Sequence, residues 1–395
     1  MTQSSRAQLH IEPFEIKVPD EALVDVENRL RNMRWPADVD NDDWKYGTSS
    51  KYLKELVDYW LEDYDWRTHE NKINSFNNFK TEIDGVPIHF IHERGKGPNP
   101  KPLICTHGWP WTFWDFQKVI GPLTDPAAYG GDPADSFDVI VPSLPGFGFS
   151  SPLTQTGYNW WRTADLWNKL MTDGLGYDRY FAQGGDWGAL VTTQLGHKYS
   201  ANVEALHVSI VIPPNFMNDG LPTEDEYPDD EKWRFHHTAK RMETAISHVV
   251  VNSTDPSSVG FALNNDPAGL AAYMISRRRV WSDSDGDLER HFSKDDSITA
   301  TMIYWLTETM PTSMRYYWEA KHNPWTPETD EIPVVPVPSA VALWPQELML
   351  MPTPLMERTF NLKRVTDMPA GGHYAPMEQP DELVADVRSF FRDYR

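Results

Sequence analysis

The chain has 395 residues, 40% of them hydrophobic, and Lys+Arg 36 against Asp+Glu 58 gives a formal charge of −22. That length and apolar content support a large core, as one domain carrying an insertion or as two. The acidic field repels phosphate backbones and anionic lipid, so nucleic acid and membrane surfaces are excluded as expected partners, and the charge reads as a solubility feature.

Met1 to His10 is polar and holds no apolar signal segment, and no apolar run reaches the ~18 residues of a membrane span. A soluble, cytoplasmic chain is the expectation. Leu23, Val26, Leu30 and Met33 follow at helical spacing after Asp20, read as the cap, and Trp35-Pro36 ends the run. Leu53, Leu56, Val57, Trp60 and Leu61 form a second stripe after Ser50. Residues 79–83 and 86–91 flank Asp84-Gly85 and predict a β-hairpin.

Strand patterns at 102–106, 137–142, 179–182 and 203–209 then alternate with helical stretches, which implies a mainly parallel sheet covered by helices. The single cysteine, Cys105, excludes an intrachain disulfide and reads as a buried strand residue. After Pro213-Pro214 the rhythm breaks into aromatic-rich helical sequence, including 268–281 and 298–318. Sheet rhythm resumes at 340–343 and 362–366, and 381–392 predicts a closing helix. The proline-rich stretch 332–338 reads as a stiff return linker. The expected divisions are an N-terminal segment 1–78, a core in two parts, 79–212 and 332–395, and a helical cap 213–331 between them.

The chemistry is concentrated at Gly184-Gly185-Asp186-Trp187-Gly188-Ala189, a strand-to-helix elbow with aspartate at the nucleophile position. Glycines two before and two after it relieve the crowding of so tight a reversal. A carboxylate nucleophile attacks saturated carbon and leaves an alkyl ester that water must cleave, which points to epoxides or alkyl halides. Trp344-Pro345-Gln346-Glu347 and Gly371-Gly372-His373 supply an acid and a base in the nucleophile–acid–histidine order of an α/β-hydrolase fold. Thr106-His107-Gly108-Trp109-Pro110 follows a strand where that fold places one backbone oxyanion donor, and the amide after the nucleophile, Trp187, supplies the other.

These segments, together with Pro13-Phe14-Glu15-Ile16-Lys17-Val18-Pro19, Tyr64-Asp65-Trp66-Arg67 and Pro145-Gly146-Phe147-Gly148-Phe149-Ser150, resemble the microsomal-type epoxide hydrolases. Residues 264–273 and 286–292 are similar too, and the resemblance runs from about Ile11 to the C-terminus. It implies an α/β-hydrolase fold wrapped by the N-terminal segment, a detoxification activity without cofactor, and a small hydrophobic epoxide plus water as reactants. Members often carry an N-terminal membrane anchor; this sequence resembles the soluble ones. A homodimer is compatible with it.

By the resemblance Asp186 is nucleophile, His373 base, Glu347 the orienting acid, and Trp109 and Trp187 supply the oxyanion amides. Two cap tyrosines polarise the epoxide oxygen in the family. Arg315-Tyr316-Tyr317-Trp318-Glu319 assigns one to Tyr317, with Tyr316 the nearest alternative. At the other position, counted back from Pro256, stands His248, and no tyrosine occurs between Tyr227 and Tyr273. Three readings stay open: His248 donates in place of a phenol, it is a bystander while Tyr317 acts alone, or the site has drifted.

Trp109, Trp111, Trp114 and Trp187 cluster by sequence at the expected pocket, and Trp109, Trp111 and Trp187 are the expected substrate walls. Asp283-Ser284-Asp285-Gly286-Asp287 lacks the glycine position and terminal glutamate of a calcium loop, adjacent His236-His237 cannot chelate together, and Gly146-Phe147-Gly148 lacks a dinucleotide fingerprint, so no metal or cofactor is expected. Two rival functions remain, a haloalkane dehalogenase and a non-catalytic hydrolase-fold binding protein.

Overall fold

The computed structural model describes residues 9–395, so the polar start lies largely outside the described residues. Nine strands form one sheet: β1 (Glu12–Pro13), β2 (Asn78–Ile83), β3 (Val86–Glu93), β4 (Lys101–Thr106), β5 (Phe137–Pro142), β6 (Tyr180–Gly184), β7 (Val203–Val208), β8 (Val335–Leu343) and β9 (Phe360–Asp367). Their order is β1-β2-β3-β5-β4-β6-β7-β8-β9, antiparallel as far as β5 and parallel beyond it. Helices cover both faces, so β5 and β6 are buried along their whole length and read in sequence as continuous apolar runs. This is the α/β-hydrolase fold. Cys105 lies on β4, 1% exposed.

Helices Asp20–Arg31, Ser50–Glu62 and Trp66–Asn74 precede the sheet. The first is capped by Pro19 rather than by Asp20, whose carboxylate instead pairs with Arg67. Glu70 explains why the 13–19 and 64–67 segments travel together. Its carboxylate accepts from Val18 N (2.7 Å) and Trp66 Nε1 (3.1 Å) and pairs with Arg67 (2.7 Å). Arg29 Nη1 reaches Asn265 O and Oδ1 (2.7 Å each), and Thr48 Oγ1 donates to Ala272 O (2.6 Å), so these helices lie against those between β7 and β8.

Between β7 and β8 run the helices Lys232–Ala245, Ser247–Thr254, Pro256–Asn265, Pro267–Trp281, Lys294–Leu306 and Met310–His322. The expected continuous stretch 298–318 is broken at Glu308, where the backbone turns left-handed (φ 53°), and a new helix begins at Met310 with Pro311 in its first turn. The proline-rich return is also more ordered than a linker. From Val335 it is strand, paired with β9 across a bulge, while its pairing with β7 begins only at Ser339. Pro336 and Pro338, which lack N–H donors, therefore sit where β7 asks for none.

Candidate active site

Strands β4, β6 and β8 end on the same edge of the sheet, the edge at which open α/β sheets bind ligands. Thr106 and Gly184 are register partners, which sets the loop after β4 beside the elbow after β6. Asp186 occupies the turn with φ 52° and ψ −128°, a conformation costly for a non-glycine residue. A Cβ on Gly188 would lie 1.9 Å from Thr106 O, and one on Gly108 would lie 2.2 Å from Asp186 Oδ1, so backbone approach demands glycine at both. Asp186 also precedes the helix Trp187–Lys198, whose free N–H groups favour negative charge there.

Trp109 N donates to Asp186 Oδ1 at 2.7 Å, and Trp109 is held by its indole N–H on Ser313 Oγ at 3.1 Å. On the other side His373 Nε2 lies 3.3 Å from Asp186 Oδ2. His373 Nδ1 donates to Glu347 Oε1 at 2.7 Å, and both side chains are 1% exposed. The acid and histidine loops are joined by Gln346 N on Gly371 O (3.0 Å). Burial alone would depress the imidazole, but Glu347 and Asp186 outweigh it and push His373 up to about 10.

A group raised from 6.5 to about 10 binds an extra proton in the folded state through that window, so its stabilisation is complete below pH 6.5 and lost as pH rises through about 10. The melting temperature of the wild type is therefore expected to fall more between pH 7 and pH 10 than that of His373→Gln. Parallel melting curves for the two proteins would refute the charged resting histidine.

The histidine loop is fastened to the segment after the helix Pro267–Trp281. His373 N donates to Trp281 O (3.0 Å), Gly371 N to Asp283 Oδ2 (2.9 Å), and Glu378 accepts from Asp283 N (2.6 Å) and Tyr374 N (2.7 Å). Burial pushes Glu378 up to about 7. From the helix Lys232–Ala245, His237 Nε2 donates to Glu347 O and Arg241 Nη2 to Gln346 O, each at 2.7 Å. None of these supports was expected. Asp283 stood out in sequence only as part of a rejected calcium loop, and His237 only as half of a rejected chelating pair.

A cavity of about 180 Å³ opens over Asp186, with Trp187, His248, Tyr317 and His373 on its floor and Ile212, Phe216, Leu221, Met242, Val249 and Leu348 among its apolar walls. Tyr317 faces it, whereas Tyr316 turns away to share a 2.7 Å hydrogen bond with Thr163 Oγ1. Burial raises the Tyr317 phenol well above its ordinary range, with the Asp186 charge adding to the effect, so the hydroxyl keeps its proton.

Two expectations need correcting. Trp111 does not reach the cavity; it packs behind it, edge-on to His373 (5.5 Å) and stacked on Tyr374 (5.2 Å), while Trp114 lies farther off against Phe76. Trp109 likewise contributes its amide and a supporting ring rather than cavity wall. His248 has no N–H to offer the cavity. It is buried, lines the cavity and stacks on Trp109 (5.1 Å, 8° between planes), but its Nδ1 lies 2.8 Å from Ala245 O. A carbonyl only accepts, so the proton is on Nδ1 and Nε2 bears a lone pair. Burial pushes the ring down to about 3, which keeps it neutral.

With this geometry in view, comparison with known proteins is decisive. Residues 11–116 match the model for the epoxide hydrolase N terminus and residues 101–305 that for the alpha/beta hydrolase fold. A putative epoxide hydrolase of Stigmatella aurantiaca is 40% identical over 98% of this chain and 86% of its own. The chain belongs to the epoxide hydrolase family. Other members include epoxide hydrolase 1 of Oryctolagus cuniculus, 36% identical over 96% of this chain and 88% of its own. Among solved structures, the juvenile hormone epoxide hydrolase of Bombyx mori superposes with a TM-score of 0.86 at 26% identity, covering 99% of this chain and 96% of that one. The Aspergillus niger epoxide hydrolase gives 0.84 at 27%, covering 99% and 98%. Among the described residues no helix is long and apolar enough to cross a membrane.

Proposed function

We propose that the chain hydrolyses a small hydrophobic epoxide to a vicinal diol through an ester on Asp186. The observation that carries this is the placement of one carboxylate between a backbone donor and an imidazolium. Oδ1 sits on Trp109 N and Oδ2 faces His373. Oδ2 attacks an epoxide carbon; that C–O bond breaks, and the leaving oxygen takes a hydrogen bond and then the proton from the Tyr317 hydroxyl. Oδ1 becomes the ester carbonyl oxygen, already on its donor.

Esterification removes the Asp186 charge that helped to raise His373. Its affinity for a proton drops, and the proton it gives up restores the Tyr317 phenol, leaving a neutral imidazole to serve as base for the second step. His373 then deprotonates a water, the hydroxide adds to the ester carbon, and the oxyanion is met by the Trp109 and Trp187 amides. Collapse releases the diol and restores Asp186, with Glu347 stabilising the imidazolium. In this scheme the helices of 213–331 form a cap over a core built from 79–212 and 332–395, with the described part of the N-terminal segment 1–78 wrapping both. The protein works as a soluble, cytoplasmic enzyme without metal or cofactor.

The cavity is smaller than the ~300 Å³ lower bound of drug-sized sites, which favours compact aryl or alkyl epoxides. The test is diol formation from styrene oxide beside halide release from haloalkanes of similar size. Diol without halide is expected; halide release without diol would move the assignment to a dehalogenase, and tight ligand binding with neither product to a binding protein. Tyr317→Phe is expected to lower diol formation about 10²-fold or more, the scale of a lost general acid, with His248→Gln costing less. Full activity in Tyr317→Phe would sink the assigned acid.

A further inference from the structure

His248 caps the carbonyl of Ala245, the last residue of the helix Lys232–Ala245, with its Nδ1–H, and this fixes what the other ring nitrogen offers. Among the described residues the ring's only hydrogen bond is the one from Nδ1, and the ring lines the cavity. Its neighbours there do not satisfy Nε2. Trp109 lies flat against the ring, Trp281 is tilted at 4.7 Å, and Tyr317 stands perpendicular with centroids 5.3 Å apart. Apart from His248, Asp186, His373 and Tyr317, the named lining is almost entirely apolar. A lone acceptor in such a wall asks the ligand for an O–H.

We propose that His248 is a specificity residue that accepts a hydrogen bond from a hydroxyl on the carbon next to the epoxide ring, so that the favoured substrates are 2,3-epoxy alcohols with an apolar remainder. The inference rests on the epoxide reading above and adds the substrate class. Tyr317 takes the epoxide oxygen, and the 5.3 Å between the two rings lets a group one or two bonds away meet Nε2. An epoxide lacking the hydroxyl leaves that lone pair dry and unpartnered, and one such bond corresponds to about a tenfold discrimination.

The test uses a matched pair differing by one oxygen: (3-phenyloxiran-2-yl)methanol and 2-methyl-3-phenyloxirane. In the wild type, kcat/KM is expected to favour the alcohol about tenfold. His248→Phe should bring the ratio to about one while the methyl compound is still turned over. His248→Asn provides a second variant, because its amide N–H can replace Nδ1 on Ala245 O while nothing occupies the place of Nε2; its ratio should also fall to about one.

A wild-type ratio of one, a ratio unchanged in both variants, or equal loss of both substrates in His248→Asn overturns the inference and leaves the epoxide reading standing. Dissociation constants of the two corresponding hydrolysis products separate the opposite case. If neither epoxide is hydrolysed, yet the triol binds about tenfold tighter than the diol and only with His248 present, the acceptor site stands and the epoxide reading falls. Equal binding of both in that case overturns the inference as well.

Discussion

His373→Gln is expected to stop after its first step, with the protein gaining the mass of one substrate molecule on Asp186 while steady diol release falls by about 10³-fold. In the proposed scheme ring opening needs no base, because Asp186 Oδ2 attacks as a carboxylate and Tyr317 supplies the hydrogen bond. Ester cleavage needs a base to take a proton from water, and proton transfer of this kind is worth about 10²–10⁴ in rate. Glutamine fills much of the imidazole's space and can still hydrogen-bond Glu347, so the loop held by Trp281 O is expected to persist. Intact-protein mass spectrometry after brief exposure to styrene oxide, followed by peptide mapping, reads the result directly. Diol formed at the wild-type rate with no adduct would remove His373 from the mechanism.

Arg278→Ala is expected to be the most destabilising single change on the side of the site away from substrate. Arg278 and Asp115 are 2% and 3% exposed and meet in a bidentate pair, Nη1 on Oδ1 at 2.7 Å and Nη2 on Oδ2 at 3.1 Å. The same guanidinium lies 4.9 Å from the centroids of Phe292 and of Tyr374, the residue after His373. Removing one member leaves a buried charge without its partner, typically a loss of about 3–5 kcal/mol. With an unfolding entropy of about 2.1 cal/mol/K per residue, that lowers the melting temperature by about 4–6 °C. The double change Arg278→Met with Asp115→Leu should recover most of it, since two apolar side chains leave no orphan charge. A single variant melting within about 1 °C of wild type would show that the pair does not hold the helix Pro267–Trp281 to the loop after β4.

What the sequence made legible followed from local physics. Glycines at 184 and 188 announced the elbow because a side chain there collides with backbone. The buried parallel strands appeared as unbroken apolar runs, and Glu347 and His373 could be found from chain order and strand ends. The family resemblance separated Tyr317 from Tyr316, and in the structure the first lines the cavity while the second turns to Thr163.

The remainder depended on partners far away in the chain. Arg278 and Asp115 are 163 positions apart, and nothing in Arg277-Arg278-Arg279 marks the middle residue for burial. Asp283 and Glu378 acquire meaning only when the histidine loop docks between them. Trp109 and Trp111 are two residues apart, yet the one lends its amide to Asp186 and the other packs behind the histidine. The side of the His248 ring that carries the proton turned on a helix that stops at Ala245 and leaves a carbonyl in reach, a boundary that side-chain pattern does not define.

The bonds between the histidine loop and residues 281–283 constrain how the enzyme breathes. A lid swinging on the helix Pro267–Trp281 would carry the imidazole away from its carboxylates on every cycle, and proton transfer would have to wait for it to return. Movement of the cavity-lining side chains Phe216, Leu221 and Ile246 needs no such excursion, since none of these bonds involves them. Exchange that moves only those side chains would leave the histidine loop and its carboxylates standing still.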